Sequence, residues 1–94
     1  PAIWRHPRDP ARSVVVATNK VAAPDGAVVV YNLQGKLLQT ISSIDRPNNV
    51  DIEYGLPLGD KPVDIAVATE RLASALRVFA IEDGRLRDLG RVPI

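Results

Sequence analysis

The chain has 94 residues, the length of one small domain, and its 12 Lys and Arg against 11 Asp and Glu leave a net charge of +1. That balance argues against a nucleic-acid binder relying on a basic face, and the lack of cysteine excludes disulfide scaffolds, thiolate metal sites and a cysteine nucleophile. A single histidine, His6, cannot build a multi-histidine zinc site, and no apolar run approaches the ~18 residues of a membrane helix.

Short apolar runs follow one another between turn residues. Ser13–Thr18 is β-branched; Asp25-Gly26 turns the chain into Ala27–Tyr31; Gln34-Gly35 precedes Lys36–Ile41. Pro47-Asn48-Asn49 reads as a break. Val50–Tyr54 then alternates apolar and polar as a half-buried strand does, and Val63–Thr69 is a further strand. Glu70–Leu76 has helix formers, but it is pressed between two strand signals and reads as a loop with one helical turn. Leu76–Ile81 alternates, Asp83-Gly84 is a hairpin signal, and Arg85–Leu89 closes the series. Strands at this spacing with no amphipathic helix between them predict an antiparallel all-β fold. The chain contains no methionine and opens on Pro1, which reads as a mature or trimmed piece of something larger.

The strands also repeat as a unit. Val16-Ala17-Thr18-Asn19-Lys20 matches Val67-Ala68-Thr69-Glu70-Arg71, and each copy runs on into an aromatic-bearing strand, with Tyr31 before Gly35 and Phe79 before Gly84. A period of roughly 50 residues holding four short strands is the pattern of a β-propeller blade. The other reading is two unrelated β-meanders. As blades, the units are 1–46 and 47–94, two consecutive four-stranded antiparallel sheets. Propellers close with roughly 4–8 blades, so the remaining blades must come from the same protein or from other copies.

Three groups of residues could carry chemistry. Lys20 and Arg71 end equivalent strands, and on adjacent blades two such cations make an anion site; as isolated charges they are solvated strand ends. Asn48-Asn49-Val50-Asp51 offers oxygens suited to calcium, or an Asx turn leading into a strand. His6 reads as a loop histidine before Pro7, and Trp4 as a packing anchor between blades.

Five stretches in order resemble the β-propeller, or alkaline, phytases. Pro1-Ala2-Ile3-Trp4 with His6-Pro7 is similar to that family's opening Asp-Asp-Pro-Ala-Ile-Trp-x-His-Pro, and Thr18-Asn19-Lys20 to its Thr-(Asn/Asp)-Lys. Val30-Tyr31-Asn32-Leu33-Gln34-Gly35-Lys36 resembles its Val-Tyr-x-Leu-x-Gly-Lys. Asn48-Asn49-Val50-Asp51-Ile52 is similar to its Asn-Asn-Val-Asp-(Ile/Val), and Val63-Asp64-Ile65-Ala66 with Arg71 to its Val-Asp-Ile-Ala…Asn-Arg. Glu53 stands where the family usually has Arg, and Glu70 where it usually has Asn.

The resemblance implies the N-terminal portion of a six-bladed propeller that removes phosphate from phytate or other inositol phosphates. It implies a secreted or periplasmic enzyme in which calcium bridges the substrate's phosphates and activates the attacking water. Lys20 and Arg71 would bind phosphate and assist its transfer, and the backbone carbonyls of Pro1 and Val50 would be calcium contacts. The alternatives are a catalytically incomplete propeller fragment acting as a binding or packing module, and a calcium-dependent propeller esterase or lactonase that would not need the two cations.

Overall fold

Alternating β-branched residues set two layers of strands in the computed structural model, which describes residues 1–93. The first sheet is β1 (Ala2–Trp4), β2 (Val14–Asn19), β3 (Ala27–Asn32) and β4 (Leu37–Ile41); the second is β5 (Pro47–Leu58), β6 (Lys61–Glu70), β7 (Ala75–Glu82) and β8 (Arg85–Pro93). Each sheet is antiparallel with its strands in chain order. The expected all-β class with two four-stranded sheets is what the chain adopts. Ile94, the last residue of the expected second unit, lies outside the described residues. Among those described, the only helical element is a 3-10 turn at Pro10–Arg12, so no helix is long and apolar enough to cross a membrane.

The structure differs in detail from the sequence reading, and the expected loop Glu70–Leu76 gives up Glu70 to β6 and Ala75 and Leu76 to β7. Ala2–Trp4 forms a strand of its own, paired through Ala2 with Val16 and Trp4 with Val14. Pro47-Asn48-Asn49 does not break the chain but begins β5. Pro47 faces Glu70 and Val50 faces Ala68, so Asn48 and Asn49 together oppose the single residue Thr69. This is a β-bulge, which accommodates turn-prone residues inside a strand and re-aims their side chains.

The two sheets share one core. Val14, Val16, Val28 and Val30 of the first meet Val50, Ala66, Ala68, Phe79, Ile81 and Leu86 of the second, with Trp4 and Ile44 at its edges. Ala66 pairs with Phe79, and the small residue leaves room for the ring. Gly26 is required where the loop after β2 meets the loop after β4: a Cβ there would collide with the carbonyl oxygens of Ile44 and Val21. Gly26→Ala is therefore expected to lower the thermal midpoint by several degrees, the shift that a loss of about 1–2 kcal/mol gives a domain of this size. An unchanged midpoint in a melting experiment would show that these loops yield freely.

Polar bonds cross from sheet to sheet. Trp4 donates its indole N–H to Asp64 Oδ2 at 2.7 Å, and the Gln39 amide exchanges two 2.8 Å bonds with the backbone of Leu86. His6 is buried. Its Nδ1 accepts the amides of Arg8 and Asp9, so the proton sits on Nε2, 2.8 Å from Asp83 Oδ1. Asp83 and Gly84 both have positive φ, 53° and 84°, in the tight turn that an Asp-Gly pair favours.

The His6 hydrogen bond, with help from Arg12, holds the Asp83 carboxyl below the ordinary carboxylate range against a modest opposing effect of desolvation. A lowered folded value means that this stabilisation is present above the unfolded pKa and disappears as pH falls through the folded one. Asp83→Asn is expected to weaken the dependence of stability on pH below roughly pH 4, where an ordinary aspartate titrates. Superimposable acid-unfolding curves for the two proteins would contradict it.

Candidate functional site

The bulge at Asn48-Asn49 is held from both sides by threonines one repeat apart. Thr18 Oγ1 donates to the Asn48 carbonyl at 3.1 Å, and Thr69 Oγ1 accepts the Asn49 amide at 3.1 Å. Thr18 comes from β2 and Thr69 from β6, so the bulge is fixed to both sheets. A cavity opens on each side of it.

The first cavity, about 440 Å³, is walled by Pro1, Lys20, Asn48, Asn49, Val50 and Asp51, with Ala17 and Thr18 behind them. The second, about 410 Å³, is walled by Asn48, Asn49, Thr69, Glu70, Arg71, Ser74 and Ala75. The sequence candidates Pro1, Lys20 and Val50 thus line one cavity. Arg71 lines its neighbour, across the shared asparagines. Lys20 lies one residue past β2 and Arg71 one residue past β6, and both are exposed. Each cavity therefore contains a solvent-facing cation and carries polar oxygens from the bulge. Such a pair can receive two anionic groups held on one molecule.

The first cavity's other donors are oxygens: asparagine amides, the exposed Asp51 carboxylate and backbone carbonyls. Hard cations such as calcium take oxygen ligands of these kinds, six to eight of them, so this set fits part of a calcium shell. Among the described residues no group of three or more His, Asp or Glu could hold a metal without help.

Behind the second cavity lies a residue that sequence reasoning placed in a loop. Glu70 is the last residue of β6 and is fully buried. Its Oε1 accepts from Arg91 Nε at 2.8 Å, and its Oε2 accepts from Arg91 Nη2 at 2.9 Å and from the Asp45 amide at 2.8 Å. Burial pushes this carboxyl up, but the Arg91 fork, the Asp45 amide and the charges of Arg91 and Arg77 outweigh it, leaving the group below its ordinary value and ionised. An arginine 21 residues later is too remote a signal for a sequence scan to pair with it.

A further cavity of about 460 Å³ lies near Trp4, His6, Asp64 and Asp83. Trp4 is paired there with Asp64, His6 with Asp83, and Asp64 also with the Gly55 amide, and among the described residues no hydroxyl or thiol nucleophile lines it.

Comparison with known proteins adds to this geometry. A family model described as Phytase matches residues 1–93. A curated 3-phytase of Bacillus subtilis (strain 168) is 37% identical over 93 residues, which is 95% of this chain and 23% of that protein. The chain thus spans about a quarter of the length of that relative.

Proposed function

The chain belongs to the Phytase family, and from that premise we propose that it supplies the Lys20 and Arg71 portion of a site hydrolysing phosphate monoesters of phytate. The observation that carries this reading is the pair of cavities sharing the Asn48-Asn49 wall, each with its own exposed cation. Phytate crowds six phosphates on one ring, and a fork and a point charge set side by side suit two of them at once. In the reaction Lys20 and Arg71 hold phosphoryl oxygens and stabilise the charge that grows on them. Pro1 and Val50 would contribute backbone carbonyls to calcium, with Asp51 nearby. Calcium, when bound, supplies the positive charge that offsets the crowded phosphates. A secreted or periplasmic setting suits such a site, because extracellular calcium modules work at weak affinities, roughly 10⁻⁴–10⁻³ M.

We further propose that the two sheets are consecutive blades of a six-bladed propeller. Support comes from the outward faces. Val14, Val16 and Thr18 lie on the face of the first sheet that meets the second. Their repeat equivalents Ile65, Val67 and Thr69 lie on the face of the second sheet turned away from the first, because it is Ala66 and Ala68 of β6 that enter the shared core. A third sheet stacking there would repeat the contact already present. On the opposite side Ile3 and Leu37 are exposed apolar residues awaiting cover.

The test is phosphate release from phytate by the polypeptide carrying this chain, with calcium and after its removal by chelation, together with the particle's size. Calcium-dependent release is expected from a particle large enough for six blades. No release from such a particle would leave the chain a binding or packing module.

A further inference from the structure

The two cations are joined through the backbone behind them, and the joint is fastened to a buried carboxylate. Val21, next to Lys20, accepts the Arg46 amide at 3.0 Å, and Ala23 donates to Asp45 Oδ1 at 3.1 Å. On the other side Arg46 accepts the Arg71 amide and Asp45 accepts the Leu72 amide, both at 3.2 Å. Residues 45 and 46 thus bridge the loop after Lys20 and the turn that begins at Arg71. The bridge is an irregular segment: Arg46 has φ of 56° and Ser43 of 60°, outside the range most side chains favour. Its fixed point is the Asp45 amide, bonded to Glu70 Oε2, and Glu70 is itself clamped by the Arg91 fork.

We propose that Glu70, with Arg91, is a positioning residue that fixes the separation of Lys20 and Arg71 and so selects substrates presenting two phosphates over those presenting one. This rests on the reading of Lys20 and Arg71 as phosphate-binding groups. Glu70 itself makes no contact with substrate. It acts on the bridge, and its burial and triple acceptance leave it no second conformation in which to release the bridge without stranding a charge. A single phosphate needs one cation and is indifferent to the spacing. Two phosphates on one ring need both cations at the right distance.

Binding of phytate and of inorganic phosphate is measured by calorimetry on the full polypeptide carrying this chain, before and after Glu70→Gln. Gln keeps an acceptor for the Asp45 amide but removes the charge and one acceptor from the Arg91 fork. Phytate affinity is expected to fall about tenfold or more and phosphate affinity less than about threefold, since a loosened spacing mainly costs the second, intramolecular contact. Amide exchange at Asp45 and Arg71 should accelerate together. Where Glu70→Gln fails to fold, Arg91→Gln loosens the same clamp from its half-exposed end, and the same divergence between the two ligands is expected. Equal loss for both ligands, or no loss for either, overturns the positioning role while leaving the phosphate site intact. Parental protein that binds phytate no better than phosphate overturns the site itself, and the positioning role with it.

Discussion

Lys20→Ala in the complete enzyme is expected to lower phytate turnover roughly 10²-fold, the usual cost of removing one donor from a developing oxyanion. Lys20 follows β2 directly and lines the cavity walled by the Asn48-Asn49 bulge. Its loss removes a point charge without disturbing the core, because the residue is exposed. Arg71→Lys is the companion variant. It conserves charge but loses the planar fork that grips two oxygens at once, and it should impair turnover as well. The measurement is phosphate release at saturating calcium and saturating phytate. Near-parental rates for both variants would reduce the two residues to solvated strand ends.

The largest effect on stability is expected at Phe79. Its ring is fully buried at the centre of the core, beside Ala66 in register and under the Arg77 guanidinium, which lies 5.9 Å from the ring centroid. Neighbours on both sheets are held by their own ladders and cannot collapse into the space left behind. Phe79→Ala should therefore cost about 3–5 kcal/mol. That is a large share of the roughly 5–15 kcal/mol that separates a folded domain from its unfolded chain. Urea denaturation measures it, with Val92→Ala, at a half-exposed position, as a control expected to stay within about 0.5 kcal/mol. A loss below about 1 kcal/mol at Phe79 would mean that the sheets do not depend on this contact.

Much of the architecture is legible in the sequence because local chemistry and tertiary burial agree there. Val14–Val16 and Val28–Val30 are unbroken β-branched runs, Val63–Val67 is β-branched at every second position, and Asp83-Gly84 is a pair that favours a tight turn. The misread places are those where local chemistry was overridden. Ala2–Trp4 is too short to show a period and is a strand only because β2 pairs with it. Asn48-Asn49 is turn-like by composition, and becomes strand because β6 and two threonines hold the bulge. Of the site, the repeat alone points to Lys20 and Arg71 as a pair. Glu70 and His6 are legible only in three dimensions. A glutamate beside an arginine reads as surface, and nothing local tells that Arg91 arrives to neutralise it or that Asp83 arrives to meet the histidine.

The bond from Trp4 to Asp64 has a consequence for how this chain can be watched as it folds. Every strand pairs only with its neighbours in sequence, so each ladder closes from hairpins whose partners lie close along the chain. The closures of longest range belong to side chains, with Trp4 reaching 60 residues to Asp64 and His6 reaching 77 to Asp83. Ladder formation and sheet docking are therefore separate events on separate probes. Far-ultraviolet dichroism reports the ladders. Emission from the chain's single tryptophan, buried and bonded across the joint, reports the moment the two halves meet. With no second indole to blur it, Trp4 is an intrinsic clock for the slow, non-local half of folding.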